Sequence, residues 1–348
     1  MKKSVALLPL FGQFIRDSET GKRLKKNGEK ITQGSIDNYR YTLNNLQKFS
    51  LDSGFELRIC DASKLNRREL LSEKNYWKKF YKNFTEYLYK NGCFDNYVGT
   101  NIKLIRAFFN YLKYDRDLPT GDFQRLFYVR KEDVGILVLS PEQLKFLIHD
   151  PDFDRGLPPA LRRAKDVFVF GCTTGLRFSD IFRLTNKNFA QENGDWYLRI
   201  KSKKTKTYSF VKLPQYAVDI YKLYRPKSSI TALFKPISLF IFNRNLKQMG
   251  EKAGFTNPIE MTRERLGKTK RMNKNPNNKQ LRFCDKMSSH MMRRTAITTL
   301  LILGMPEHLV RKISGHSHAS NSFNRYVHYA QAYIDKEIDK VHKKLEVY

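Results

Sequence analysis

The chain has 348 residues and a formal net charge of +31, with 65 lysines and arginines against 34 aspartates and glutamates. A folded protein with this excess repels itself unless a polyanion is close, so the composition favours a nucleic-acid partner over a merely solvated basic surface. Hydrophobic residues make up 41% of the chain and aromatic residues 13%, enough for two buried cores. Disordered chains and small disulfide-stapled scaffolds are thereby excluded.

The four cysteines indicate a reducing compartment. They are Cys60, Cys93, Cys172 and Cys284, widely separated and without a C-x-x-C pair, which argues against a zinc ribbon or a disulfide framework. No apolar run approaches the ~18 residues of a membrane span. The apolar start is interrupted by Pro9 and has no small-residue cleavage site, so it is interpreted as a helix and not as a secretory signal. We expect a soluble, cytoplasmic protein.

Apolar side chains at helical spacing run through the first third of the chain and predict a helical domain. The first helix covers Leu7 to Ile15. Three further stripes follow: Ile36, Tyr39, Leu43, Leu46 and Phe49; Trp77, Phe80, Phe84 and Leu88; Ile102, Ile105, Phe109 and Leu112. Because the first helix begins almost at Met1, no further domain is expected ahead of it. The aromatic stripes are interpreted as core packing.

A basic loop bounded by Gly21 and Gly28 separates the first two predicted helices. It carries Lys22, Arg23, Lys25 and Lys26. Such a loop is either a solvated turn or a segment that grips DNA phosphates, and both interpretations stay open.

Pro119 and Gly121 end the helical pattern and predict a domain boundary. Helix resumes at Ser140-Pro141-Glu142-Gln143, a capping box with proline in the first turn. The predicted organisation is a helical domain over residues 1–132, a linker over 133–140 and a second domain over 141–348. The fold class is mainly α with small β-hairpins (α+β).

Two basic segments interrupt the helical pattern of the second domain. Residues 196–200 and 208–213 alternate like paired strands around a tip with Lys203, Lys204 and Lys206. Residues 261–289 form a second hairpin or loop with nine basic and two acidic side chains, expected to lie outside any core. Its candidate DNA contacts are Lys268, Lys270 and Arg271.

Two arginines carry the strongest chemical signal. A guanidinium holds two phosphate oxygens at once and keeps its proton, so it suits the charge that develops when a phosphodiester is attacked. Arg177 lies in the run Thr174–Asp180, and Asp180, one turn later, is predicted to brace it by an ion pair. Arg293 lies one helical turn after His290.

Two histidines and one tyrosine complete the set. His290 shares a helix face with Arg293, and His316 follows Gly315 at a predicted helix end; both suit proton transfer and hydrogen bonding to phosphate near neutral pH. Tyr326 follows shortly afterwards. The other histidines, His149, His308, His318, His328 and His342, are interpreted as structural.

Taken in this order, the residues resemble the tyrosine recombinase, or phage-integrase, family, and particularly integrases of bacterial mobile elements. The resemblance implies that Tyr326 is the nucleophile, with Tyr329 and Tyr333 as alternatives because the interval from His316 is one residue longer than usual. It also implies that a lysine at the tip of the first hairpin protonates the leaving oxygen. Lys204 fits best, and Lys203 and Lys206 stay open as this acid or as DNA contacts.

The same resemblance implies a site-specific DNA recombinase, with residues 1–132 as its core-binding domain. Double-stranded DNA is the expected partner, and its cleavage is expected to form a 3′-phosphotyrosyl intermediate. Four protomers are expected to assemble in a synapse, and no cofactor or metal is expected. An apolar stripe at the end of the chain would pack on its own core or, as in the family, on a neighbouring protomer. That stripe is Tyr333, Ile334, Ile338, Val341 and Leu345.

Other enzyme classes fit the motifs less well. His316-x-His318 has no acidic cluster to complete a metal-dependent nuclease site. Gly267-Lys268-Thr269 has the tail of a phosphate-binding loop, but Thr262 stands where the first glycine is required. A non-catalytic DNA-binding regulator on the same scaffold and a type IB topoisomerase remain the alternatives.

Overall fold

The computed structural model describes residues 4–203, 207–275, 277, 279–317 and 320–345. The chain forms two compact units. The first combines Met1–Val134 with Thr262–Arg271, and the second combines Gly135–Met261 with Met272–Tyr348. Within the described residues, no helix is both long and apolar enough to cross a membrane.

The first unit is a helical domain with an aromatic core. Its elements are β1 (Ser4–Ala6), α1 (Leu7–Thr20), α2 (Gln33–Ser53), β2 (Arg58–Cys60), α3 (Arg67–Lys90) and α4 (Asp95–Tyr114). The predicted stripes face inward: Trp77, Phe80 and Phe109 are almost completely buried, and the ring centroids of Trp77 and Phe109 lie 4.9 Å apart. Asn66 and Glu69 form a capping box at the start of α3, which fixes where that helix begins.

The second unit is mainly helical around one small sheet. Its helices are α5 (Pro141–His149), α6 (Pro151–Gly156), α7 (Pro159–Thr174), α8 (Phe178–Ile181), α9 (Gln215–Tyr224), α10 (Leu239–Lys252), α11 (Ser289–Ile302), α12 (Glu307–Ser314) and α13 (Asn321–Leu345). Its antiparallel sheet has the order β3 (Phe189–Glu192), β4 (Asp195–Lys201), β5 (Tyr208–Lys212). Leu198 pairs with Val211, and both are buried in the core beneath the sheet.

Helices α7 and α11 form the centre of the second unit and pack closely. A Cβ on Gly171 of α7 would lie 2.5 Å from Sδ of Met292 and 3.1 Å from Cδ1 of Ile181, so any larger residue here would force the Met292 side chain to move. Met292 precedes Arg293 on α11, and the close packing therefore fixes the position of a candidate catalytic side chain.

The basic segment 261–289 divides into two parts. Strands β6 (Met261–Arg265) and β7 (Lys268–Met272) form a hairpin that belongs to the first unit, although the chain on both sides belongs to the second. The prediction that the whole segment lies outside any core was wrong for its second half, because Leu281, Cys284 and Met287 are buried at 1% exposure or less.

Other local predictions were confirmed. The fold is α+β and mainly helical. The capping box of Ser140 and Gln143 begins α5. The first predicted hairpin is β4–β5, and β3 is a third strand that the sequence analysis missed.

Candidate active site

Arg177 is positioned by a turn between two helices. Helix α7 ends at Gly175, whose φ of 66° lies in the left-handed region that glycine adopts most readily. Arg177 then begins α8, where its carbonyl accepts the N–H of Asp180 at 2.8 Å. Its half-buried guanidinium donates from Nη1 to Oγ of Ser202 at 3.0 Å. The backbone of Arg177 thus fixes the residue at the start of a helix, and its side chain contacts the residue that follows strand β4.

Asp180 is 1% exposed and supports both Arg177 and the hairpin tip. Its Oδ2 accepts from Oγ of Ser202 at 3.2 Å, and its Oδ1 accepts from the backbone N–H of Lys203 at 3.0 Å. The predicted direct ion pair with Arg177 was wrong, because the hydroxyl of Ser202 lies between the two side chains. Sequence reasoning missed Ser202, which carries no motif of its own.

Lys203 is exposed at the start of the hairpin tip. Lys204 and Lys206 lie outside the described residues. The backbone N–H of Ser202 donates to the carbonyl of Thr207 at 2.8 Å, which extends the pairing of β4 and β5 by one hydrogen bond.

Arg293 is almost fully buried, at 6% exposure. Its Nη1 donates to the carbonyl of Gly175 at 2.8 Å, and its Nη2 donates to the carbonyl of Ser314. Burial and the neighbouring positive charge of Arg177 lower the pKa of Arg293 to about 10, against the opposing influence of Tyr326 and Asp180. Two guanidiniums therefore lie close together in a poorly solvated place, an arrangement that an anion would stabilise.

His290 is exposed on the first turn of α11. That turn is held by Asn243, whose Oδ1 accepts the backbone N–H of Ser289 at 2.8 Å. His290 lines a cavity of about 300 Å³ together with Arg177, Phe178, Ser179, Leu239, Ser289 and Arg293. Three of the predicted catalytic side chains thus share one cavity.

His316 follows the left-handed Gly315 (φ 63°) that ends α12. Its Nδ1 lies 2.8 Å from Oγ of Ser314 and 3.4 Å from Nη2 of Arg293. Burial, and then the charges of Arg293, Arg177 and Arg311, lower the pKa of His316 to about 4. The imidazole is therefore neutral at physiological pH.

Tyr326 lies on α13 beside His316, with 6.0 Å between the two ring centroids. It is half-buried, and its phenol is close enough to Arg293 to influence the charge there. Burial raises the pKa of Tyr329. Burial and Glu142 raise the pKa of Tyr333, whose hydroxyl donates to Oε1 of Glu142 at 3.2 Å. Of these three tyrosines, Tyr326 is the one in ring contact with His316.

The basic loop of the first unit contains two kinds of side chain. Lys22 and Lys26 are exposed. Lys25 forms an ion pair with Glu29 at 2.8 Å. Arg23 packs over the ring of Phe14, with its Cζ 4.5 Å from the ring centroid, and so contributes to the core of the unit. Lys268, Lys270 and Arg271 are exposed along β7.

Comparisons with known proteins identify the family of this chain. Residues 138–332 match the phage integrase family, and because the match covers more than half of the chain, the protein belongs to this family of tyrosine site-specific recombinases. A comparison with curated protein sequences returns no match.

Solved structures show the same fold. The site-specific recombinase XerH, in a pre-cleavage complex with its difH substrate, is 18% identical with a TM-score of 0.56, over 92% of this chain and 93% of that chain. The Tn1549 transposon integrase in complex with circular intermediate DNA is 15% identical (TM-score 0.53; 92% and 95%). A lambda integrase dimer bound to a COC′ core site is 12% identical (TM-score 0.55; 92% and 95%).

Proposed function

We propose that this recombinase cuts and rejoins DNA at a specific site through a 3′-phosphotyrosyl intermediate, and thereby integrates or excises a mobile element. One observation carries the proposal. The side chains of Arg177 and Arg293 flank one cavity, with His316 next to Arg293 and Tyr326 next to His316. These groups come from the start of α8, from α11, from the residue after α12 and from α13, and their convergence supports a shared site.

The two arginines would bind the scissile phosphate. A phosphodiester brings negative charge to a place where two guanidiniums crowd each other, and it would relieve the destabilisation that lowers the pKa of Arg293. The same contacts would strengthen as charge builds up on the non-bridging oxygens in the transition state. His290, at the exposed side of the cavity, would donate a further hydrogen bond to the phosphate.

His316 would act through its second ring nitrogen. Nδ1 is occupied by Ser314, which leaves Nε2 for the substrate or for the nucleophile. A neutral imidazole is able to accept the phenolic proton of Tyr326 or to hydrogen-bond the phosphate as charge shifts. The buried Ser314 contact would keep the ring in one orientation throughout.

Tyr326 would attack the phosphorus through its phenolic oxygen. The new P–O bond forms as the bond to the 5′ oxygen breaks, and that oxygen leaves with a proton from a lysine of the β4–β5 tip. The phosphotyrosyl ester keeps the energy of the broken bond, so a 5′ hydroxyl restores the strand by the reverse reaction without ATP or metal. We propose Lys204 as the acid, with Lys203 and Lys206 as alternatives, because Lys204-Thr205 matches the family's hairpin pattern best. The contact of Asp180 with the backbone N–H of Lys203 supports this choice of hairpin, since it joins the hairpin to the Arg177 site.

Lysines and arginines away from the cavity would neutralise flanking phosphates. Lys22 and Lys26 would do so from the basic loop, with contributions from Lys25 and Arg23. Lys268, Lys270 and Arg271 would do so from β7, and Lys203 and Lys206 from the hairpin tip.

Strand exchange between two DNA duplexes requires several protomers, because each duplex needs two cleaved strands and each cleavage needs one tyrosine. We propose four protomers per synapse, with the C-terminal part of α13 packed on a neighbouring protomer. Ile338 on that helix is 48% exposed and lines an apolar groove of about 340 Å³ with Ile302 and Ile334. We place this activity in a bacterial cytoplasm, where the DNA is.

The test uses a library of nicked duplexes with a randomised core, because a nick traps the covalent adduct by releasing the attacking end. Denaturant-resistant adducts are recovered, their DNA is sequenced, and the crosslinked peptide is mapped. Tyr326→Phe should abolish the adduct while binding persists, and Tyr329→Phe and Tyr333→Phe should retain it. An undiminished adduct in Tyr326→Phe would move the nucleophile to one of these neighbours. Binding without any adduct in the unsubstituted protein would instead identify a non-catalytic regulator.

A further inference from the structure

Arg311 is a buried arginine on α12 that the phosphate-binding set does not include. It is 7% exposed. Its Nε donates to Oε1 of Glu307 at 2.7 Å, its Nη1 to the carbonyl of Ser317 at 3.1 Å, and its Nη2 to Oδ1 of Asn324 at 3.1 Å. Its Cζ also lies 4.1 Å from the ring centroid of Phe323. One guanidinium thus contacts its own helix, the segment after His316 and the start of α13.

The contacts with α13 lie next to the candidate nucleophile. Phe323 and Asn324 precede Tyr326 by one helical turn or less. Contacts that hold these two residues therefore also fix the position and the rotation of the helix at Tyr326. On the other side, the backbone carbonyl of Arg311 accepts the N–H of His316 at 3.0 Å. The same residue therefore touches the backbone that holds His316 and the helix that holds Tyr326.

The planar fork of a guanidinium is suited to this task in a way that an ammonium is not. Its donors diverge at fixed angles, so several acceptors on different segments are held in one mutual arrangement. The stacking on Phe323, whose ring is fully buried, adds a contact that depends on the plane of the group.

We propose that Arg311 is a positioning residue that sets the nucleophile helix against His316 and the arginine pair, without touching the phosphate itself. The inference rests on the proposed function of Tyr326 as the nucleophile. It predicts that losing Arg311 misplaces the phenol and leaves the phosphate site intact.

The first measurement is single-turnover adduct formation on a duplex selected from the library. Arg311→Met should slow it by about 100-fold, the order expected for a nucleophile displaced by about 1 Å, while DNA affinity changes little. Arg311→Lys keeps the charge without the fork and should recover only part of the rate. Lys312→Met removes a positive charge from the exposed face of the same helix and is the matched control. An unchanged rate in Arg311→Met would overturn the proposal.

The second measurement separates positioning from damage to the phosphate site. In the Tyr326→Phe background, hydrogen peroxide is supplied as an outside nucleophile: the peroxide anion bonds to phosphorus and the 5′ oxygen leaves with a proton from the protein. This cleavage uses the arginine pair but not the phenol. Adding Arg311→Met should leave it unchanged within about threefold, because no phosphate contact is lost. A fall as large as that in adduct formation would overturn the proposal.

Asn324→Ala tests the same contact without the risk of a folding defect. It removes one partner of Arg311 at an exposed position of α13 and leaves the buried arginine in place. It should slow adduct formation by about threefold to tenfold, in line with the net contribution of one partly exposed hydrogen bond. No effect in this variant, with a loss in Arg311→Met and in its peroxide reaction, would assign Arg311 to the fold alone. If the unsubstituted protein forms no adduct, the proposed function itself is wrong. The reaction of the unsubstituted protein thus distinguishes that failure from a failure of the Arg311 proposal.

Discussion

Asp95 accepts the backbone N–H of Gly267 at 2.9 Å through its Oδ2, although the two residues are 172 positions apart in sequence. Its Oδ1 accepts the N–H of Leu266 at 2.8 Å and the hydroxyl of Tyr89 at 2.6 Å. Leu266 has a φ of 57°, a left-handed conformation that is costly for leucine and for which hairpin turns favour asparagine or glycine. A buried carboxylate therefore holds a turn that its own sequence does not favour.

Replacing this carboxylate should loosen the β6–β7 hairpin. Asp95→Asn removes the charge and brings an NH₂ group to N–H donors. The loss of charge-assisted hydrogen bonds should destabilise the hairpin locally by roughly 2 to 3 kcal/mol. Hydrogen exchange measured by mass spectrometry should show faster exchange over residues 262–271 while α1 and α2 keep their protection.

Glu86→Gln makes the same chemical change at an exposed position of α3 and should leave the exchange of the hairpin unaltered. Equal protection of the hairpin in Asp95→Asn and in the unsubstituted protein would show that Asp95 does not hold it.

The link from Arg177 through Ser202 to Asp180 should matter for cleavage. Ser202→Ala removes the hydroxyl that accepts from Arg177 and donates to Asp180, at 3.0 and 3.2 Å, and leaves two charged groups without this partner. The rate of adduct formation should fall by about tenfold, the equivalent of roughly 1.4 kcal/mol in the barrier. Ser202→Thr keeps the hydroxyl and should stay within a few-fold of the original rate. Equal rates in the alanine and threonine variants would exclude the hydroxyl from this role.

Much of the fold and part of the site could be predicted from the sequence, because their signals are local. Helices α2, α3 and α4 follow from apolar spacing, and α5 follows from a capping box. Gly175 ends a helix two residues before Arg177, and Gly315 ends a helix directly before His316, so short motifs marked both positions.

The remaining features depend on contacts between distant residues. Asp95 gives no hint of a turn 172 positions away, and Ser202 looks like any serine near a basic tip. The burial of Leu281 and Met287 was missed for a different reason. Residues 261–289 combine a basic hairpin with a second half whose apolar side chains enter the core, so the charge of the whole segment does not reveal the burial of that half.

The lowered pKa of His316 predicts a particular dependence on pH. Burial and the charges of Arg293 and Arg177 favour the neutral ring, with a pKa of about 4 in the folded protein against about 6.5 in the unfolded chain. Below the pKa of the unfolded chain, His316 binds a proton in the unfolded chain but stays neutral in the native state. This contribution to stability is complete above pH ~6.5 and is lost as the pH falls toward 4.

Proton NMR of the DNA-free protein checks this directly. The His316 ring signal, assigned by its disappearance in His316→Gln, should not titrate between pH 8 and 5.5. The free energy of unfolding of His316→Gln should also decline less between pH 7 and 5 than that of the unsubstituted protein. A His316 midpoint near the ordinary value of ~6.5 would show that the ring is not held neutral by its surroundings.

The acid that protonates the leaving 5′ oxygen can be identified with a substrate in which sulfur replaces that oxygen. A thiol has a pKa of ~8.5, far below that of an alcohol, so a thiolate leaves without a proton. Lys204→Ala should slow cleavage of ordinary DNA by roughly 100-fold to 1,000-fold, within the range for loss of a general acid, and should cleave the sulfur substrate nearly as fast as the unsubstituted protein. Lys203→Ala and Lys206→Ala, as changes in DNA contacts, should lower both rates alike.

Arg293→Lys is the control for a defect in phosphate binding, because sulfur does not replace a lost guanidinium contact and both substrates should remain slow. Rescue of Lys203→Ala or Lys206→Ala in place of Lys204→Ala would reassign the acid to that lysine, and rescue of none of the three would place the proton donor elsewhere than on this hairpin tip.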